Sequence, residues 1–162
     1  MTVVTRIALA VLAANELLVG VWNQFWPDGF YADFPTVSLD PEYSEHYARD
    51  FGGATLGITV VLIAALIAPT GALVTTAGAA YTVFALPHFV FHAAHLEHAS
   101  PADVAFLLIG NGLGALVGLL VIVLGVLRMG RERRRLRAPA GDGPARGGDR
   151  KRAGGGVRGA VP

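Results

Sequence analysis

The stretch Pro87–His98, PHFVFHAAHLEH, holds four of the chain's five histidines, at the end of a long apolar run. At about 100° per residue, His88, His92 and His95 stand i, i+4 and i+7, so on a helix they share one face with Tyr81 and Phe84. His98 falls to one side and Glu97 to the opposite face, which makes the last two a solvated helix end. Two imidazoles at i, i+4 are a spacing that holds one metal ion, and a carboxylate such as Glu16 or Asp50 would complete a nitrogen and oxygen shell suited to zinc, iron or copper. The same spacing permits axial haem ligation, although no haem-attachment motif is present. A proton or quinone site is a further reading of three histidines on one face. The plainer reading is that His92 and His95 reach out to the interface while His88 bonds to Asn111 or Glu16.

The elements that must position these groups are apolar. Hydrophobic residues make up 53% of the 162-residue chain and charged ones only 15%, against about a quarter in soluble domains. Four runs, about residues 3–22, 51–68, 72–95 and 102–127, approach or exceed the roughly 20 residues that cross ~30 Å of hydrocarbon at ~1.5 Å per residue. In lipid the backbone must satisfy its own hydrogen bonds, so the runs are expected to be helices. Pro69, Gly71, Pro101 and the segment from Pro27 to Pro41 punctuate them. The expected fold is all-α, an antiparallel four-helix transmembrane bundle over residues 1–127. A cleaved signal peptide is the rival for residues 1–20. The single Arg6, the missing small-x-small site and Glu16 inside the run favour a retained helix.

Charge is segregated. Residues 1–127 carry two basic and nine acidic side chains, a formal −7, and residues 128–162 carry eleven basic and three acidic, a formal +8. Arginines 128, 131, 133, 134, 135 and 137 follow the fourth run, so that end is expected in the cytoplasm, and four spans place the N-terminus there too. The expected location is the plasma membrane, with residues 23–49 and 96–101 facing outward. The Gly-, Pro- and Arg-rich stretch 128–162 is read as a disordered tail. It serves as a topology signal, and as an adhesive for anionic lipid head groups worth ~1 kcal/mol per basic residue. Nucleic acid is not an expected partner, since no aromatic residue interleaves the arginines. The chain has no cysteine, which excludes disulfides and thiolate metal sites.

In this topology every helix contributes a polar group to the outer half, and no charge apart from Arg6 at the boundary falls in the inner half. Glu16 lies roughly 9 Å below the surface, His88 roughly 10–15 Å and Asn111 roughly 13 Å, with Arg49 and Asp50 at the mouth of the second helix. Intramembrane ionisable groups cost roughly 2.5–3.5 kcal/mol each, so they need partners or a function. Arg49 is the expected partner of Glu16. Aromatic residues of the 23–53 loop, Trp22 and Trp26 among those near it, form an interfacial belt or a lid. "PEYSEHYARD" reads as the start of an amphipathic helix at Pro41. Gly110, Gly114 and Gly118, and Gly53 with Gly57, are expected packing ridges within the bundle or at a homo-oligomer interface.

A helix with Glu16 in its outer third, an aromatic loop and then "RDFGG" (Arg49, Asp50, Phe51, Gly52, Gly53) resembles the DoxX-like group of small four-helix membrane proteins and their actinobacterial relatives. The likeness covers residues 1–127 and implies a compact antiparallel bundle. Some DoxX-type members are linked to quinone-coupled sulfur oxidation, but the histidines of the third helix lie outside the group's general pattern. The expectation is therefore an outward-facing pocket of Glu16, Asp50, His88, His92, His95 and Asn111. In it Glu16 and Asp50 are the acid–base groups, and His88, His92 and His95 are the ligands of a transition metal, haem or quinone. A lipid-acting enzyme without redox chemistry and an accessory subunit are the alternatives.

Overall fold

The computed structural model describes residues 2–39 and 42–137. The elements are α1 (Val3–Phe25), α2 (Pro27–Asp33), a 3-10 turn (Val37–Leu39), α3 (Glu45–Ile67), α4 (Gly71–Ala94) and α5 (Pro101–Arg137). Three of the four long helices begin at a side-chain cap, and α3 begins after Ser44 without one. Thr2 Oγ1 accepts from the Thr5 amide and Thr70 Oγ1 from the Leu73 amide. Ser100 and Asp103 cap α5 reciprocally, the Asp103 amide donating to Ser100 Oγ at 3.3 Å and the Ser100 amide to Asp103 Oδ2 at 3.1 Å, with Pro101 at the first helical position. The segment after α1 restarts at Pro27, which has no N–H to offer the preceding helix.

Four helices, α1, α3, α4 and α5, are long and apolar enough to cross a membrane. They follow one another antiparallel. α1 packs most closely on α3, and α4 on α5; α3 meets α4 through the short turn after Ile67, and α5 touches α1 to close the ring. α1 and α4 therefore face each other across the diagonal. One end of the bundle, here the aromatic end, carries α2, the 3-10 turn and the connection from His95 to Ser100. The other, the basic end, carries Thr2, the α3–α4 turn and the last turns of α5.

Large apolar side chains such as Val11, Leu18, Val60, Val83, Ile109 and Leu116 are exposed, as lipid-facing positions are. The interior is tight because glycines let backbones meet. Running along α4 and α5, Gly71 abuts Met129, Thr75 abuts Gly125, Gly78 abuts Val121 and Ile122, and Tyr81 and Thr82 abut Gly118. One register thus holds over more than two turns. A Cβ on Gly125 would lie 2.6 Å from the Thr75 amide nitrogen, and one on Gly78 2.8 Å from that of Ile122. Within the chain the expected ridges pack in part. Gly114 and Gly118 do meet Tyr81, but Gly110 and Gly57 have nothing within 4 Å. Gly52 rather than Gly53 makes the close approach to α1, where a Cβ would lie 2.6 Å from the Gln24 amide nitrogen.

Two expected boundaries move. α3 begins at Glu45 instead of residue 51, because Glu45–Arg49 and His46–Asp50 pairs extend it outward on the same axis. α5 continues as helix to Arg137 rather than ending at Leu127. Its extension has a task there: the Gly71 amide, at the open start of α4, donates to Glu132 Oε2 at 3.0 Å, and Arg128 Nε donates to Glu132 Oε1 at 2.7 Å. The expected disorder of residues 138–162 lies outside the described residues, as does Pro41. Pro87 sits within a continuous α4.

Substituting Gly125 or Gly78 by Ala should lower stability by about 1–3 kcal/mol through overpacking. Gly110→Ala should be neutral or raise it by up to ~1 kcal/mol, as helix propensity dictates in open space. Thermal unfolding in detergent, followed by circular dichroism, distinguishes the two.

Candidate functional site

Glu16 occupies the interior face of α1 and is only 2% exposed. Asn15 Nδ2 donates to its Oε1 at 3.1 Å, while Oε2 has no hydrogen-bond partner among the described residues. Buried threonines of α3 and α4 do not serve it. Thr55 donates to the Phe51 carbonyl, Thr59 to that of Thr55 and Thr82 to that of Gly78, each within its own helix. Tyr81, on the diagonal helix, is within electrostatic reach of the carboxyl.

Arg49, the expected partner of Glu16, is engaged elsewhere. Its Nη1 donates to the Gln24 carbonyl at 2.5 Å and its Nε to Glu45 Oε1 at 2.9 Å. A cation at the open carbonyls of a helix C-terminus complements the dipole. In "RDFGG", Arg49 therefore closes the end of α1 and Gly52 admits its backbone. Asp50 is also turned away: its side chain is 66% exposed and lies 3.4 Å from His46 Nε2.

The expected common level of Glu16 and His88 is corrected by the register. Gly52 meets α1 at Asn23 and Gln24, and the adjacent Phe51 ring lies 5.6 Å from Phe84. Phe84 thus stands level with the last turn of α1. Glu16 lies eight residues before Gln24, roughly 12 Å back along the axis at ~1.5 Å per residue. His88 lies a further turn away in the opposite direction. Depth counted from each helix end separately misplaced them, because α1 and α4 do not end at the same height.

The histidines form a ladder of rings. His88 stacks on Phe84 at 5.1 Å, His92 meets His88 edge to face at 4.5 Å, and His95 stacks on Phe91 at 4.2 Å. His88 and His92 are half-buried and His95 exposed, and Asn111 is half-buried on α5. Among the described residues no three His, Asp or Glu side chains already stand as a metal-holding group, which is true of His88, His92 and His95 and equally of any other set at this end. A different grouping appears. A cavity of about 30 Å³ at the aromatic end is lined by His92, His95, Glu97 and His98, with Thr36, Leu39, Ala99 and Leu107. Glu97 and His98 reach it because α4 stops at Ala94, so helical angles no longer apply beyond that point. His95 Nδ1 lies 2.8 Å from the Phe91 carbonyl, which leaves Nε2 as its other ring nitrogen.

The cavity's far wall is strained. Phe34 to Val37 form a turn closed by the Val37 amide on the Phe34 carbonyl, with Pro35 second and Thr36 third at φ 70°. That third position ordinarily takes Gly or Asn, and a β-branched residue there is an outlier. Trp22, Phe30 and Phe34 pack as a ring cluster that holds the turn, with Phe34 reaching Phe106 of α5. At the neck of the loop, the Asp28 carboxylate accepts from the Tyr43 hydroxyl, and that bond, ahead of burial, pushes the phenol up to about 12. Neither Thr36 nor the Glu97–His98 turn was a sequence-level candidate. The cue was the Pro35–Thr36 pair, a turn start without its glycine. Comparison of the chain with protein-family models, with curated proteins and with solved structures finds no match.

Thr36→Gly should raise stability by about 1 kcal/mol by relieving the left-handed backbone. An unchanged or lowered unfolding midpoint would show that the threonine side chain contributes more than its backbone costs.

Proposed function

We propose that this chain is a polytopic membrane protein that binds a transition-metal ion in the cavity at the aromatic end. His92, His95, His98 and Glu97, which line that cavity but do not already stand as a metal-holding group, are the donors once their side chains rotate onto the ion. The observation that carries the reading is His95, whose Nδ1 is held by the Phe91 carbonyl. Metal-bound imidazoles are oriented in this way, through the nitrogen that does not bind. Three imidazoles and a carboxylate suit zinc, copper or iron. A cavity of about 30 Å³ has room for one water-sized occupant. Glu97 and His98 sit in the exposed turn after α4 and close on the ion by side-chain rotation. His88, beneath His92, supports the ladder instead of joining the shell.

In the same proposal the aromatic end faces outward and the arginines of α5 face the cytoplasm, where they meet anionic lipid head groups. The likeness to the DoxX-like group, carried by Glu16 and "RDFGG", belongs to this reading as a proposed ancestry of the bundle.

Zinc or copper titrated into chelator-stripped full-length protein should bind one ion per chain by calorimetry. His95→Ala and His98→Ala should weaken binding at least about tenfold, and His46→Ala should leave it unchanged. Absence of binding by both ions, or equal loss in His46→Ala, would refute the site. The cysteine-free chain also makes the orientation testable. Ser100→Cys in intact cells should react with a membrane-impermeant thiol reagent, and protection until lysis would reverse the topology.

A further inference from the structure

We infer that Glu16 is a reversible proton-binding site inside the bundle, open to protons from the aromatic end alone. The geometry divides the two oxygens of the carboxyl. Oε1 accepts from Asn15, and Oε2, buried and without a partner, is the oxygen that carries the proton. Among the described residues no counter-charge faces it. α3 has no titratable side chain between Asp50 and the end of the helix, and α5 has none between Asp103 and Arg128. α4 has only Tyr81 before His88. A carboxylate there is unpaired in a low-dielectric interior, and the protonated form needs no partner charge.

The two directions away from Glu16 differ. Toward the basic end the interior is mostly apolar, with Leu9, Leu12, Ala13, Leu62, Ala65, Val74, Ala77 and Val121 buried and Thr59 and Thr5 the buried hydroxyls of α3 and α1 beside them. Among the described residues that direction holds no titratable side chain on α1 between Glu16 and Arg6, nor on α4 before Tyr81. Toward the aromatic end stand Tyr81, Thr55, Thr82 and Asn23, all buried, and then half-buried His88. Hydroxyls and imidazoles accept and release protons, and intramembrane acids with such neighbours form relays. In the step, the Oε2–H bond breaks, the proton passes to a water on the Tyr81 side of the carboxyl, and a carboxylate remains; the return step re-forms the bond.

Infrared spectroscopy of the full-length protein in lipid nanodiscs, kept metal-free with chelator, tests this separately from the metal reading. A carboxylic C=O band that disappears in Glu16→Gln, an isosteric change, and titrates with pH is expected. Its shift on transfer to D2O should slow at least about tenfold in Tyr81→Phe and His88→Phe. Asn15→Ala should shift the band by freeing Oε1, which provides a second readout should an aromatic-end variant fold poorly. Absence of any Glu16-dependent band, one that never titrates, or exchange as fast in Tyr81→Phe and His88→Phe as in wild type would each overturn the inference.

Discussion

In a bilayer an apolar side chain gains nothing by leaving lipid for a protein interior, so helices adhere only where their surfaces touch closely. That constraint organises this molecule. Gly71, Gly78, Gly118 and Gly125 bring the backbones of α4 and α5 together, and Gly20 and Gly52 do the same for α1 and α3. Two tight pairs result, joined more loosely at α3–α4 and α5–α1. The interior between the pairs is where the polar residues lie, and the large apolar side chains are left for lipid.

The closeness of the pairs also fixes heights. Because Gly52 admits α1 at Gln24, and Arg49 closes the carbonyl there, α1 ends level with Phe84. α4 runs on for more than two turns past that level, and the histidines stand on this overhang. They meet the loop that α1 leaves behind instead of Glu16. Thr36, strained at φ 70°, is pressed into the same space by the Trp22, Phe30 and Phe34 rings. A polar layer at one depth thus becomes a buried acid in mid-bundle and a histidine-lined cavity at its end.

Most of the architecture was legible. Hydropathy and length located the four spans, and Pro69, Gly71, Pro101 and the segment from Pro27 to Pro41 marked the breaks between them. Glu16 stood out as an acid in an apolar run. Side-chain partners were not legible. Arg49 was the obvious counter-charge for Glu16 by sign, yet it reaches Gln24, because a guanidinium on the first turns of α3 lies beside the end of α1. Gly110 and Gly114 look alike in sequence, but only Gly114 faces Tyr81. The Arg-rich stretch after Leu127 reads as tail by composition, while its first ten residues extend α5 and place Glu132 on the start of α4.

The sequence alone determined that the chain is an all-helical membrane bundle, that one acid lies within a span and that histidines gather at one helix end. These follow from transfer energies and helical periodicity, which act on each segment independently. Tertiary structure decided which groups meet. It separated Glu16 from the histidines, ended α4 at Ala94 so that Glu97 and His98 turned toward His92 and His95, and left Oε2 of Glu16 without a partner. Those outcomes depend on the register between helices. Register is set by which glycines happen to face a neighbouring backbone, a relation between segments that no single segment contains.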